Sequence, residues 1–192
     1  MERILCLGDS NTYGYDPRSY IGSRYPEDVR WTGRLKREGR EVINRGQNGQ
    51  CIYRTTAFPG LKRQLTGRAA PDRILLMLGT NDVLLGTEPE DCGERMEGVL
   101  RFLRGEAERA QILLIAPPPL QPGDWVETAD QIVSSLQLSE VYAKLAEKMG
   151  TGFADAGDWN VELCFDGVHF SPEGHAAFAL GLEEVLRNTE KE

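Results

Sequence analysis

Five consecutive apolar residues, Ile74-Leu75-Leu76-Met77-Leu78, constrain the fold of this chain more than any other stretch. A strand with one wet face alternates apolar and polar side chains, whereas a strand apolar at every position must be covered on both faces. Such a strand belongs in the middle of a parallel sheet with helices on either side. Turn formers bound it, Pro71-Asp72 before and Gly79-Thr80-Asn81-Asp82 after. Two more runs share the pattern: Ile4-Leu5-Cys6-Leu7, stopped by Gly8, and residues 111–116, apolar from Ile112 onward and stopped by Pro117-Pro118-Pro119. Residues 41–44 and 152–154 read as shorter strands.

Helical periodicity fills the intervals. Residues 30–38 place Trp31 and Leu35 four apart on a core-facing side, and Gly39 ends that helix. Residues 52–66 are loosely helical, with a break at Pro59-Gly60. Residues 88–109 carry Pro89 in the first turn and an apolar stripe of Met96, Val99, Leu100 and Leu103. Residues 129–148 set Ile132, Leu136, Leu138, Val141 and Leu145 on or near one face. A last helix starts at Pro172, with Ser171 as N-cap, and ends near Asn188. Residues 13–28, rich in Gly, Pro, Tyr and charge, form a long surface loop of the kind that often carries function. Strands alternating with helices predict an α/β protein, a flavodoxin-like three-layer α/β/α sandwich whose parallel five-stranded sheet has the order 2-1-3-4-5. At 192 residues, without repeats or a dividing linker, the chain is expected to form a single domain, 1–192.

Composition excludes several classes of function. Lys and Arg number 22 against 30 Asp and Glu, a net charge of −8. That balance supplies no basic footprint for nucleic acid or an anionic membrane. No apolar run reaches the roughly 18 residues of a membrane span, and Met1-Glu2-Arg3 leads into a strand rather than a signal core. Cys6, Cys51, Cys92 and Cys164 are scattered and only two histidines exist, so no metal site is expected and a cytoplasmic chain with reduced thiols is. The glycines of Asn44-Arg45-Gly46-Gln47-Asn48-Gly49-Gln50 do not follow a phosphate-loop spacing, so a flavin or nucleotide binder has no support and no cofactor is expected.

Three polar turns follow the first three strands: Gly8-Asp9-Ser10-Asn11, the turn through Asn48-Gly49, and Gly79-Thr80-Asn81-Asp82. In a parallel sheet these strand ends share one edge, where ligands bind. Asp166-Gly167-Val168-His169, ahead of the last helix, can fold over the same edge. In this order the four segments resemble the four blocks of the SGNH, or GDSL, hydrolase superfamily of esterases and lipases. Arg30-Trp31-Thr32-Gly33, Ala116-Pro117-Pro118-Pro119 and Asp166-Gly167-Val168-His169-Phe170 further resemble its bacterial short-chain arylesterase and acyltransferase branch.

The resemblance implies a serine esterase of short-chain, acetyl-type acyl esters. Ser10 is implied as nucleophile, which needs an adjacent base to react. His169 is that base, since an imidazole titrates near neutrality, and Asp166 orients it. The resemblance implies an oxyanion hole of the Ser10 and Gly49 backbone N–H groups and the Asn81 side-chain amide. The expected partner is a small acyl ester, such as an acetylated sugar or an aryl ester, with no nucleic acid and no membrane. A homo-oligomer stays open, because acyl transfer to an alcohol needs a restricted channel that subunit contacts could form. The alternative is a non-catalytic carbohydrate-binding or scaffold protein on the same fold.

Other residues carry plainer expectations. Asp9 and Asp82 are expected to brace their own turns, Trp31 to lie in the core, and His175 to be structural or partly exposed within its helix. Tyr13 and Tyr15 either line the acyl or alcohol pocket or are ordinary loop tyrosines.

Overall fold

The computed structural model of the chain describes residues 1–19, 21–57 and 60–189. Five strands, β1 (Glu2–Gly8), β2 (Arg40–Gly46), β3 (Arg73–Met77), β4 (Gln111–Ala116) and β5 (Gly152–Asp155), form one parallel sheet. Its order is β2-β1-β3-β4-β5, as the apolar runs and right-handed crossovers predict. Gly8 is in register with Gly46 on one side and Met77 on the other, so β1, β2 and β3 end level and release their turns at one edge.

Among the described residues seven helices surround the sheet: α1 (Ser10–Tyr13), α2 (Trp31–Arg34), α3 (Leu61–Leu65), α4 (Thr80–Leu84), α5 (Pro89–Glu106), α6 (Ala129–Met149) and α7 (Pro172–Thr189). Side chains alternate across each strand, so the all-apolar strands feed two cores. Leu5, Leu7, Ile74, Leu76 and Leu114 pack with the Met96, Val99, Leu100 and Leu103 stripe of α5 and with Leu138 and Tyr142 of α6. Ile4, Cys6, Leu75, Met77 and Ile115 pack on the other face with Trp31, Leu35 and the Phe178 and Leu182 rows of α7. Each such side chain contributes about 1.5–3 kcal/mol on burial.

Four elements depart from the sequence expectation. The helix expected over 30–38 is the single turn α2. β2 starts one residue earlier than its apolar pattern indicated, at Arg40, and runs two residues beyond Asn44 to Gly46. Arg40 is buried because its guanidinium pairs with Glu2 and Glu183, and a charged residue inside a strand leaves no apolar signal. Residues 52–66 divide into a 3-10 turn, Ile52–Ala57, and α3; Gly60 precedes α3 at φ 78°, while Pro59 lies outside the described residues. The helix expected to reach Arg109 stops at Glu106, where Ala107 leaves helical geometry to join the core.

On α6, Leu136 is 54% exposed. The neighbouring Ser135 holds the buried position, accepting the Leu120 N–H at 2.9 Å and donating to the Ile132 carbonyl at 2.7 Å. The start of α6 is a capping box: the Thr128 hydroxyl accepts from Gln131 N–H, and the Gln131 side chain accepts from Thr128 N–H. Ser171 caps α7 as expected, its hydroxyl accepting the Gly174 N–H at 2.9 Å.

Candidate active site

β1 hands the chain to α1 through Asp9, whose carboxylate accepts the Asn11 N–H at 2.9 Å as N-cap. That cap makes Ser10 the first residue of α1, at the carboxyl edge of the sheet. Burial pushes the Asp9 carboxyl up to about 6, against the opposing pull of the Asn11 N–H and the nearby His169. At the other end of the chain, Asp166 Oδ1 accepts the N–H groups of Val168 and His169, both at 2.9 Å. The resulting tight turn sets the two side chains of Asp166 and His169 side by side.

Asp166 Oδ2 lies 2.7 Å from His169 Nδ1, and His169 Nε2 lies 2.9 Å from Ser10 Oγ. All three residues are buried, with Ser10 5% exposed. Burial of Asp166 works against its ionisation. The His169 ring and the two backbone N–H groups outweigh it and hold the carboxyl below the usual carboxylate range. An ionised Asp166 can only accept, so Nδ1 carries the proton and Nε2 is left to accept from the Ser10 hydroxyl.

The turns after β2 and β3 close on the same edge. Gln47 N–H donates to the Gly8 carbonyl at 3.0 Å, seating the second turn beside the first. A Cβ on Gly46 would fall 2.1 Å from the Tyr13 backbone nitrogen, so this glycine allows α1 to lie against β2. Gly49 differs: it is exposed, at φ 68°, with open space where a Cβ would stand. Among the described residues neither the Ser10 nor the Gly49 backbone N–H has an acceptor. Asn81, on α4, donates one amide hydrogen to the Gln50 carbonyl at 3.1 Å, which ties the third turn to the second.

Residues 6–177 match the family model of the GDSL-like lipase/acylhydrolase family. The chain belongs to that family. Membership makes it a carboxylic ester hydrolase. Solved structures agree over the whole length. An aryl esterase from M. smegmatis shares 27% identity, with 98% of this chain and 99% of that one covered at a TM-score of 0.86. A carbohydrate acetylesterase from Sinorhizobium meliloti shares 25%, covering 98% and 100% at 0.86, and a carbohydrate acetylesterase family member from the same organism 28%, covering 97% and 98% at 0.85. No curated protein matches the sequence significantly.

Within this acylhydrolase, several residues hold the edge together in ways the sequence did not announce. The Asn11 side chain donates to the Val168 carbonyl at 3.0 Å and accepts the Phe170 N–H at 2.9 Å, so it grips the chain on both sides of His169. Asp82 does not brace its own turn: its carboxylate accepts the Ile52 N–H at 3.0 Å and pairs with Arg95 at 3.3 Å, linking the second and third turns to α5. Burial raises its carboxyl above the usual range. Trp31 lies in the core as expected and donates from Nε1 to the Asn11 carbonyl at 3.0 Å. His175 is fully buried beside Tyr25 and Phe170.

The two tyrosines of the first loop part company. Tyr15 packs on His169, ring centroids 4.8 Å apart, while Tyr13 turns away to stack with Arg24. Trp125 covers a second side of the His169 ring at 5.0 Å and is half exposed. Its loop is strapped onto the Asp166 turn by donation from Trp125 N–H to the Asp166 carbonyl and from Gln121 N–H to the Gly167 carbonyl. Among the described residues, no cluster of three His, Cys, Asp or Glu side chains suits a metal ion, and no helix is long and apolar enough to cross a membrane.

Proposed function

We propose that the chain hydrolyses short-chain acyl esters, acetyl esters first among them, through a Ser10–His169–Asp166 triad and an acyl-enzyme intermediate. The observation that carries this reading is the unbroken line of two hydrogen bonds from Asp166 through His169 to Ser10 Oγ. Ser10 Oγ attacks the acyl carbonyl while His169 Nε2 takes its proton, and Asp166 stabilises the imidazolium. The carbonyl oxygen becomes an oxyanion, met by the Ser10 and Gly49 N–H groups and the second amide hydrogen of Asn81. Collapse of this intermediate expels the alcohol, which takes the proton from His169. Water then attacks the acyl-enzyme with His169 again as base, releasing the acid and restoring Ser10.

Short chains are favoured by the confinement of Ser10 and by Tyr15 and Trp125 against the catalytic ring. The names of the structural relatives, aryl esterase and carbohydrate acetylesterase, suggest aryl or sugar acetates as substrates. A panel of acetyl, butyryl and octanoyl p-nitrophenyl esters with acetylated xylose tests the reading. We expect kcat/KM to fall along the series, and Ser10→Ala to lower kcat at least about 10⁴-fold. Preference for octanoyl esters contradicts the chain-length assignment, and full activity in Ser10→Ala contradicts the mechanism.

A further inference from the structure

Beside the second turn lies a cleft that the ester chemistry does not use. One end is a cavity of about 350 Å³ walled by Tyr13, Arg45 and the Gly46-Gln47-Asn48 turn; the other, of about 210 Å³, is walled by Glu27, Arg30, Thr32 and Lys36. Arg24 and Asn44 line both, so the two adjoin across these side chains. The near end opens at Asn48, next to Gly49, and at Tyr13, three residues after Ser10.

The polar groups of this cleft are arranged for an anion. Asn44 is spent on the protein: its amide donates to the Thr12 carbonyl and the Thr32 hydroxyl, and its oxygen accepts the Gly46 N–H. Lys36 is neutralised by Glu27. Arg24 is fixed differently. Its guanidinium stacks on the Tyr13 ring at 4.4 Å and its Nε donates to the Tyr13 carbonyl, so its orientation is set. Its two terminal amino groups have no acceptor among the described residues, and Arg30 contributes a second positive charge to the same cleft. The Arg30 side chain donates to the Pro26 carbonyl at 3.5 Å. Neither arginine forms an ion pair with a described carboxylate, although the chain carries a net charge of −8. Glu27, already hydrogen-bonded to Lys36, is the carboxylate whose charge reaches both arginines, so the cleft keeps an excess of positive charge; a half-buried guanidinium of fixed orientation matches the paired oxygens of phosphate or carboxylate. Burial, followed by the charge of Arg30, lowers the proton affinity of Arg24 against the opposing pull of Tyr13 and Glu27.

We propose that this cleft binds an oxyanion, the phosphate or carboxylate group of a small molecule, immediately beside the ester site. Arg24 is its principal donor and Arg30 its second. The group belongs either to the ester substrate or to a separate small anion, and two measurements separate these sources.

Calorimetric titration of the full chain with inorganic phosphate at low ionic strength should give saturable binding at one site. Because charge-assisted hydrogen bonds are lost, Arg24→Gln should weaken it about tenfold or more. Arg30→Gln should weaken it in the same direction and serves if the first variant does not fold. Arg104→Gln, at the opposite edge of the sheet where Arg104 holds the Gly150 carbonyl, should leave it unchanged. The titration is repeated on Ser10→Ala, whose phosphate binding should persist, so a failed ester assay does not touch this result and a failed titration does not touch the ester reading. The second measurement compares an acetylated sugar with the same ester carrying a phosphate. A higher kcat/KM for the phosphorylated ester, abolished in Arg24→Gln, assigns the anion to the substrate; equal kcat/KM with phosphate still bound assigns it to a separate ligand. Absence of saturable binding, equal binding in wild type and both cleft variants, or a loss confined to Arg104→Gln overturns the proposal.

Discussion

Asn11 joins the two ends of the chain at the one place where they must meet. Its amide fixes the backbone on both sides of His169, and its own carbonyl is held by Trp31, which anchors the clamp in the core. A displaced imidazole cannot reach the Ser10 hydroxyl, and a misplacement of about 1 Å costs on the order of 10²-fold in rate. Asn11→Leu keeps the volume and removes the clamp. We expect kcat to fall about 10²-fold with KM nearly unchanged and the chain still folded by circular dichroism. An unaltered kcat in a folded variant shows that the ring is positioned by its aromatic neighbours instead. The meeting of Ser10, His169 and Asp166 was expected from the four segments that resemble the family's blocks, and the structure brings these three side chains within hydrogen-bond distance. The clamp by Asn11 was not expected, since a turn asparagine looks the same whether it serves its own turn or a segment 157 residues away. The same holds for Trp125, whose place against His169 depends on a loop strapped onto the Asp166 turn by backbone hydrogen bonds, which leave no side-chain signal.

The last helix, α7, seats His175 in the second core, where Nδ1 accepts the Trp31 N–H at 3.4 Å. Burial, then the positive charges of Arg34 and Arg30, lowers its pKa from 6.5 to about 3. The unfolded imidazole therefore takes up a proton between those values while the folded one does not, and stability rises with pH across that window. As pH falls from about 6.5 the native state should lose stability, by about 4 kcal/mol near pH 3. His175→Gln retains an acceptor for Trp31 and cannot titrate. Denaturant unfolding at several pH values should show a shallower acid slope in this variant than in wild type, and identical slopes would mean that the imidazole is not held neutral. Elements were otherwise read well where apolar periodicity was regular, as over the Met96 to Leu103 stripe of α5. They were misjudged where a polar residue took a buried place, as Ser135 did beside Leu136, or where a paired charge extended a strand, as Arg40 did.

The molecule as a whole turns a chain order into a site. Parallel strands of equal end-point deliver the turns after β1, β2 and β3 to one edge, and the segment after β5 crosses to meet them. This much followed from apolar runs alone, because strands covered on both faces admit few topologies. The neighbouring oxyanion cleft did not, since it is made by the packing of a long loop against β2 and α2 rather than by any motif. The proposed ester chemistry requires an activated serine at Ser10. Labelling of the native chain with a fluorophosphonate, followed by mass spectrometry of the digested protein, reads that activation without reference to any substrate. We predict stoichiometric modification on Ser10, lost in Ser10→Ala and slowed by about 10⁴-fold in Asp166→Asn, where the wrong tautomer of His169 is held. Absence of labelling in the folded wild type, or labelling at another serine that persists in Ser10→Ala, would contradict it.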